Sequence, residues 1–167
     1  MKLVMDIHHE GDTARVGAVA FEDWAAGEAV KTYVTEVAHV EKAKAGEPWG
    51  RDLPGLLQLL HQHKLSPEVI VIDGFVHSDA QETPALGQFL HHALGGAVSV
   101  IGISKTAMKD TPAQFELMRE EETRPLVITS VGIDLGAAKA RVRTMHGRKR
   151  LPTLLKLATR IAKGRAD

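Results

Sequence analysis

Two rhythms of apolar residues alternate along the chain, and each change of rhythm marks an element. Residues 3–8, 14–21 and about 28–38 carry period-two or short continuous apolar runs and read as strands. Gly11-Asp12 and Ala25-Ala26-Gly27 fall between them as turns, which predicts an antiparallel meander. Residues 39–51 are polar, with Lys42, Lys44, Gly46, Pro48 and Gly50, and predict a long loop. From Asp52 to about His63 the spacing becomes helical. Leu56, Leu57, Leu59 and Leu60 form the buried face, Asp52 suits the N-cap, and Pro54 is tolerated in the first turn.

Ser66-Pro67 breaks the chain before an apolar run at 68–73, another strand, and residues 74–83 are loop-like. A helix is predicted from Pro84 to about Leu94, ended by Gly95-Gly96, then a strand at 97–103. The stretch 104–124 is polar, with a helical turn expected around Phe115–Met118, and Leu126-Val127-Ile128 begins a further strand. Asp134 starts a helix to about His146, closed by Gly147. Pro152 opens a last helix, ended by Gly164, with Leu154, Leu155, Leu157, Ala158 and Ile161 inward. The order β-β-β-α-β-α-β, followed by helices, predicts an α/β fold: one mixed sheet with helices packed on it. The chain shows no internal repeat, and residues 1–167 read as a single domain.

Two of the strands end in aspartate. Leu3-Val4-Met5-Asp6 opens the chain, and Val69-Ile70-Val71-Ile72-Asp73-Gly74 repeats the arrangement near its middle. A carboxylate at the edge of an apolar sheet is poorly solvated and needs a partner for its charge. Two of them side by side would repel, and a divalent metal held by oxygen ligands relieves both. Capping a turn after the strand is the plainer role for either residue alone.

Composition narrows the setting. Hydrophobic residues are 44% and charged residues 25%, as in an ordinary globular protein. Cysteine is absent, which excludes disulfides and thiolate metal sites and makes a reducing cytoplasm the natural compartment. The N-terminus lacks the pattern of a signal peptide, and no apolar stretch spans a bilayer, so no membrane partner is expected. Net charge is zero but unevenly spread. Between Lys139 and Arg165 stand ten Lys or Arg residues and no Asp or Glu, whereas Glu120-Glu121-Glu122 forms an acidic run. A basic segment in a neutral protein fits a localised polyanion-binding face, or a solvated helix surface.

Three antiparallel strands followed by α-linked strands, with Asp on the first and fourth, outline a ribonuclease H-like fold. There the two strands lie side by side and bring their carboxylates to one metal, an arrangement suited to phosphodiester hydrolysis. The chain resembles the endonuclease V family over most of its length, as a short and divergent member. The residues that carry the resemblance are Asp6 at the end of the first strand, Arg51-Asp52-Leu53-Pro54-Gly55-Leu56-Leu57, and Val71-Ile72-Asp73-Gly74. Leu86-Gly87 with His91, Ile101-Gly102-Ile103-Ser104-Lys105, and Arg148-Lys149-Arg150-Leu151-Pro152 follow in the family's order.

The resemblance implies an Mg²⁺- or Mn²⁺-dependent endonuclease acting in DNA repair. It would cleave deaminated DNA, chiefly at deoxyinosine, at the second phosphodiester on the 3′ side. It implies that Asp6, Asp52 and Asp73 are the acidic metal-binding set and that Lys105 balances phosphate charge. Gly74 and Gly87 would border a base-binding pocket, and Arg148, Lys149 and Arg150 would hold the nucleic-acid backbone. Where the family has Glu, Asp52 is one methylene shorter; Glu47 is an alternative third ligand, and a helix N-cap is the alternative role for Asp52. The two glycines equally suit turn and helix packing. The family's Pro-Tyr-(Val or Ile)-Pro-Gly wedge is replaced by Lys42-Ala43-Lys44-Ala45-Gly46. Trp49 nearby suits base stacking or a half-buried loop position. A family His falls near Thr129 or Ser130. These departures keep two alternatives open: a nuclease for inosine-containing RNA or structured nucleic acid, and a binder that no longer cuts. A monomer is expected. The histidine pairs His8-His9 and His91-His92 lack zinc spacing, and no Walker loop or nucleophile elbow is present.

Overall fold

The computed structural model describes residues 1–108, 110–119 and 124–165; the Glu120-Glu121-Glu122 run lies outside the described residues. Seven strands form one mixed sheet in the order β3-β2-β1-β4-β5-β7-β6. They are β1 (Lys2–Glu10), β2 (Thr13–Phe21), β3 (Lys31–Val37), β4 (Val69–Asp73), β5 (Ser99–Ser104), β6 (Glu116–Leu117) and β7 (Leu126–Val131). The helices are α1 (Trp49–Gln62), α2 (Leu86–Ala93), α3 (Leu135–Thr144) and α4 (Thr153–Ala162). Among the described residues, no helix is long and apolar enough to cross a membrane.

Side-chain alternation divides the core into two layers. Leu3, Met5, Ile70 and Ile72 point to the side covered by α1 and α2, where Leu56, Leu59, Leu60 and Leu90 meet them. Val4, Val71, Ile101 and Ile103 point to the opposite side and pack on Val142, Leu154, Leu155 and Ala158 of α3 and α4. Both faces are covered, which is why the strands read as near-continuous apolar runs. Burying each such side chain contributes about 1.5–3 kcal/mol.

Parallel pairing of β1 with β4 runs from Lys2↔Val69 to Met5↔Ile72, so the next step along both strands brings Asp6 beside Asp73. Both follow the parity of Val4 and Val71 and therefore face α4. Helix α4 can approach that edge because Gly17 of β2, paired with Asp6, has no side chain. A Cβ there would lie 2.7 Å from the Ala158 carbonyl oxygen and 2.9 Å from the Ala162 nitrogen.

Gly102 has the same function at the other side of the edge. A Cβ on it would meet the Gly74 carbonyl oxygen at 2.5 Å, so its absence lets the loop after β4 lie flat on the sheet. Thr129, 1% exposed on β7, accepts a hydrogen bond from the Val76 N–H at 2.8 Å and pins that loop. Thr129→Val should leave this buried donor unsatisfied and lower stability by about 1–3 kcal/mol, read by urea unfolding. A value within about 0.5 kcal/mol of wild type would contradict it.

Several boundaries differ from the sequence reading. Helix α1 begins at Trp49, so Asp52 sits within its first turn and caps nothing. The Trp49 ring stacks on Phe89 of α2, with centroids 3.7 Å apart and planes 19° off parallel, which anchors the extra residues. Pro54 consequently lies inside the helix, opposite the carbonyl of exposed Gly50. Strand β3 starts only at Lys31, and the turn expected around Phe115–Met118 is a 3-10 turn at Ala113–Phe115 leading into the two-residue β6. Asp134 does cap α3, accepting from the Ala137 N–H at 3.2 Å.

Candidate active site

The C-terminal edge of β1 and β4 is where the chain gathers its charge. Asp6 is largely desolvated, and burial pushes its carboxyl upward. Two hydrogen bonds oppose this: Thr159 Oγ1 donates to Oδ2 at 2.7 Å, and the Ile7 N–H donates to Oδ1 at 2.8 Å. The Asp52 charge raises it further, and Lys163 lowers it. At Asp73 burial and then the Asp6 charge push the carboxyl up to about 6, against weaker pulls from Lys105 and Lys163. These are two crowded carboxylates whose mutual repulsion the fold does not relieve by itself.

Asp52 reaches the same place from α1. With Asp6, Asp73, Met5, Leu56 and Leu86 it lines a cavity of about 240 Å³. Its Oδ1 accepts from His9 Nε2 at 2.6 Å. Among the described residues His9 Nδ1 is buried with no hydrogen-bond partner, while Nε2 faces the Asp52 carboxylate. Among the described residues, no three His, Cys, Asp or Glu side chains are gathered as a ready-made ion site. The donors that share the cavity are hard oxygens, which suit Mg²⁺ or Mn²⁺ rather than a soft-ligand metal.

A second hollow of about 350 Å³ opens beside the first and shares Asp52, Asp73 and Leu86 with it. Its walls include Trp49, Gly74, Phe75 and Pro84, flat or apolar surfaces with space for a planar ring. Gly74 has φ +145 and nothing within 4 Å of its missing Cβ, so it leaves the hollow open.

Among solved structures with this architecture, endonuclease V of Bacillus subtilis superposes with a TM-score of 0.78, covering 98% of this chain and 79% of its own at 16% identity. Endonuclease V of Ciona intestinalis, in complex with a 24mer DNA containing an inosine followed by a ribo-adenosine, also gives 0.78, over 98% of this chain and 84% of its own at 15% identity. Human ENDOV gives 0.69 over 97% and 83%, at 18% identity. The fold is that of endonuclease V. No protein-family model and no curated protein matches the chain.

The endonuclease V fold is ribonuclease H-like, as the order of elements predicts. Of the residues singled out from sequence, it brings Asp6, Asp52 and Asp73 to one cavity and Trp49 and Gly74 to the hollow beside it. Lys105 is exposed just beyond β5, within electrostatic reach of Asp73. Gly87 is not at the site. It is buried on α2, where a Cβ would strike Val76 at 2.6 Å, and it serves helix packing. Glu47 lines neither hollow. Arg148 and Lys149 are exposed, whereas Arg150 is structural, donating to the carbonyls of Lys105 and Pro125 at 2.8 and 2.7 Å. Thr129 is occupied with the Val76 N–H.

Two residues of this sheet edge, His9 and Thr159, escaped sequence reasoning, and Lys163 was counted only within the basic 139–165 segment. Each carried a weak signal. His9 continues the inward parity of Met5 and Ile7, and Thr159 is a polar residue one turn after buried Leu155, with Lys163 one turn further.

Proposed function

We propose that the chain is a divalent-metal-dependent endonuclease of the endonuclease V type, hydrolysing a phosphodiester on the 3′ side of a deaminated purine, deoxyinosine in DNA. The observation that carries this reading is the pair Asp6–Asp73, on one face of adjacent parallel strands, with Asp73 held up to about 6 by burial and by its neighbour. Such a pair is stabilised by a cation, and phosphodiester hydrolysis is chemistry that a cation between carboxylates supports. The DNA-bound Ciona structure, with its inosine, supports the choice of substrate.

Asp6 and Asp73 would hold the Mg²⁺ or Mn²⁺, with Asp52 completing the set. When bound, the ion would polarise the phosphate and help generate hydroxide. Thr159 and the Ile7 N–H fix the Asp6 rotamer, so that its remaining lone pairs keep one direction. His9 orients Asp52 through Oδ1 and leaves Oδ2 without a claim from that ring. Lys105 would balance charge on the phosphate, and the apolar hollow lined by Trp49 and Phe75 would take the unstacked base while Leu86 and Leu56 limit water. The exposed basic side chains of 139–165, Arg148 and Lys149 among them, would supply salt-sensitive backbone contacts.

Labelled DNA and RNA oligonucleotides with and without inosine test the reading. Cleavage of inosine-containing DNA in Mg²⁺ or Mn²⁺, abolished by chelation, is expected. Cutting confined to RNA would move the substrate to the alternative that the Lys42–Gly46 segment keeps open. The Asp52–His9 bond favours a second reading, a binder that no longer cuts. Calorimetry without a specific Mn²⁺ isotherm, together with intact oligonucleotides, would establish that one instead.

A further inference from the structure

Helix α4 ends over the carboxylate pair. Thr159 donates to Asp6, and Lys163 is the C-cap residue one turn further, its N–H bonded back to the Thr159 carbonyl at 3.0 Å. The seating of α4 on bare Gly17 fixes this end in place, and Gly164, with φ +73, turns the backbone away immediately afterward. Lys163 is exposed. Among the described residues its ammonium makes no ion pair or side-chain hydrogen bond, yet it stands within electrostatic range of both Asp6 and Asp73. Lys105 approaches from the β5 side and acts on Asp73 alone, so the two lysines flank the pair.

A cation beside a metal site opposes the metal. In a working complex that also holds an anion near it, the same charge gains a partner. We propose that Lys163 is a phosphate-binding residue of this site. It would offset the paired carboxylates before a cation is bound and contact a phosphodiester oxygen of the nucleic-acid strand once those carboxylates are satisfied. The strand would then cross the sheet edge between Lys105 and Lys163. This inference rests on the nuclease reading and gives one of its basic residues a place beside the carboxylate pair.

The test exploits two effects of opposite sign. Lys163→Met should bind Mn²⁺ about threefold more tightly at 0.1 M salt by calorimetry, because a like charge has been removed. In an Asp73→Asn background, which prevents cutting, Lys163→Met should bind an inosine-containing oligonucleotide about three- to tenfold more weakly by fluorescence anisotropy. The slope of log affinity against log salt should fall by about 0.9. Lys163→Arg should leave both near wild type, and Lys163→Gln must repeat the Met pattern if Met alone lowers the melting temperature. A purely structural lysine would not move the two affinities in opposite directions. Unchanged or weaker Mn²⁺ binding, or an unchanged salt slope, overturns the proposal while leaving the nuclease reading intact. A wild-type protein that binds no Mn²⁺ sinks both.

Discussion

Replacing Asp73 by asparagine is expected to make the metal-free protein more stable and the nuclease inactive. The folded-state value of about 6 stands above the ordinary 3.8, so between those values the folded chain binds more protons than the unfolded one. Stability from this group is therefore fully present below the unfolded value and is lost as pH rises through about 6. At pH 8 the loss is complete, about 3 kcal/mol on the full shift. Asparagine keeps the shape without the charge, so Asp73→Asn should gain about 2–3 kcal/mol at pH 8. In a chain of this length that is about 4–12 °C in melting temperature without divalent ions. Most of the gain should vanish by about pH 4, where the wild-type carboxyl is already protonated. Cleavage should fall by a factor of about 10³ or more, because the oxygen that would hold the ion is lost. The same titration should weaken Mn²⁺ binding to wild type below about pH 6. Two thermal melts and one cleavage assay decide the matter. An Asp73→Asn protein that melts like wild type at pH 8, or cuts normally, would refute the role given to this carboxylate.

Gly17→Ala is expected to have an equally large effect in the opposite direction. The new methyl would sit 2.7 and 2.9 Å from two backbone atoms of α4, neither of which can rotate away, so the helix must move. A loss of about 3 kcal/mol is expected by urea unfolding. The displacement should also draw Thr159 away from Asp6, so Mn²⁺ affinity measured on the folded fraction should fall by about tenfold or more. A variant that unfolds like wild type, or binds Mn²⁺ equally well, would show that α4 is not what steadies Asp6.

Strands β1, β2, β4, β5 and β7 were legible in the sequence because their central residues are buried, and helices α1 and α4 because their leucines recur at helical spacing. The first two carboxylates were legible for a related reason: a charged residue that ends an apolar run is conspicuous, and parallel neighbours bring both ends to one edge. What the sequence left obscure depends on contacts between distant segments. Trp49 gave no helix signal, since its stacking on Phe89 forty residues later is what extends α1. Asp52 read equally well as a cap or a ligand, and its hydrogen bond to His9 is a contact between elements that no spacing encodes. Gly87 resembled a pocket residue by its place in a motif, whereas its neighbours make it a packing residue. Thr159 acquires a role only when α4 is laid across β1, 153 positions away.

Arg119 remains, a side chain buried to 5% exposure with no part in the chemistry. Its guanidinium donates to the carbonyls of Val142, Met145, Gly147 and Lys149, spanning the end of α3 and the link to α4. That link carries Arg148 and Lys149. Most basic arms order themselves only when they meet a polyanion and give up conformational freedom at that moment. Here the backbone of the link is held when the chain folds, so on the proposed reading the two cations would dock with a small entropic penalty and a rapid, largely electrostatic approach.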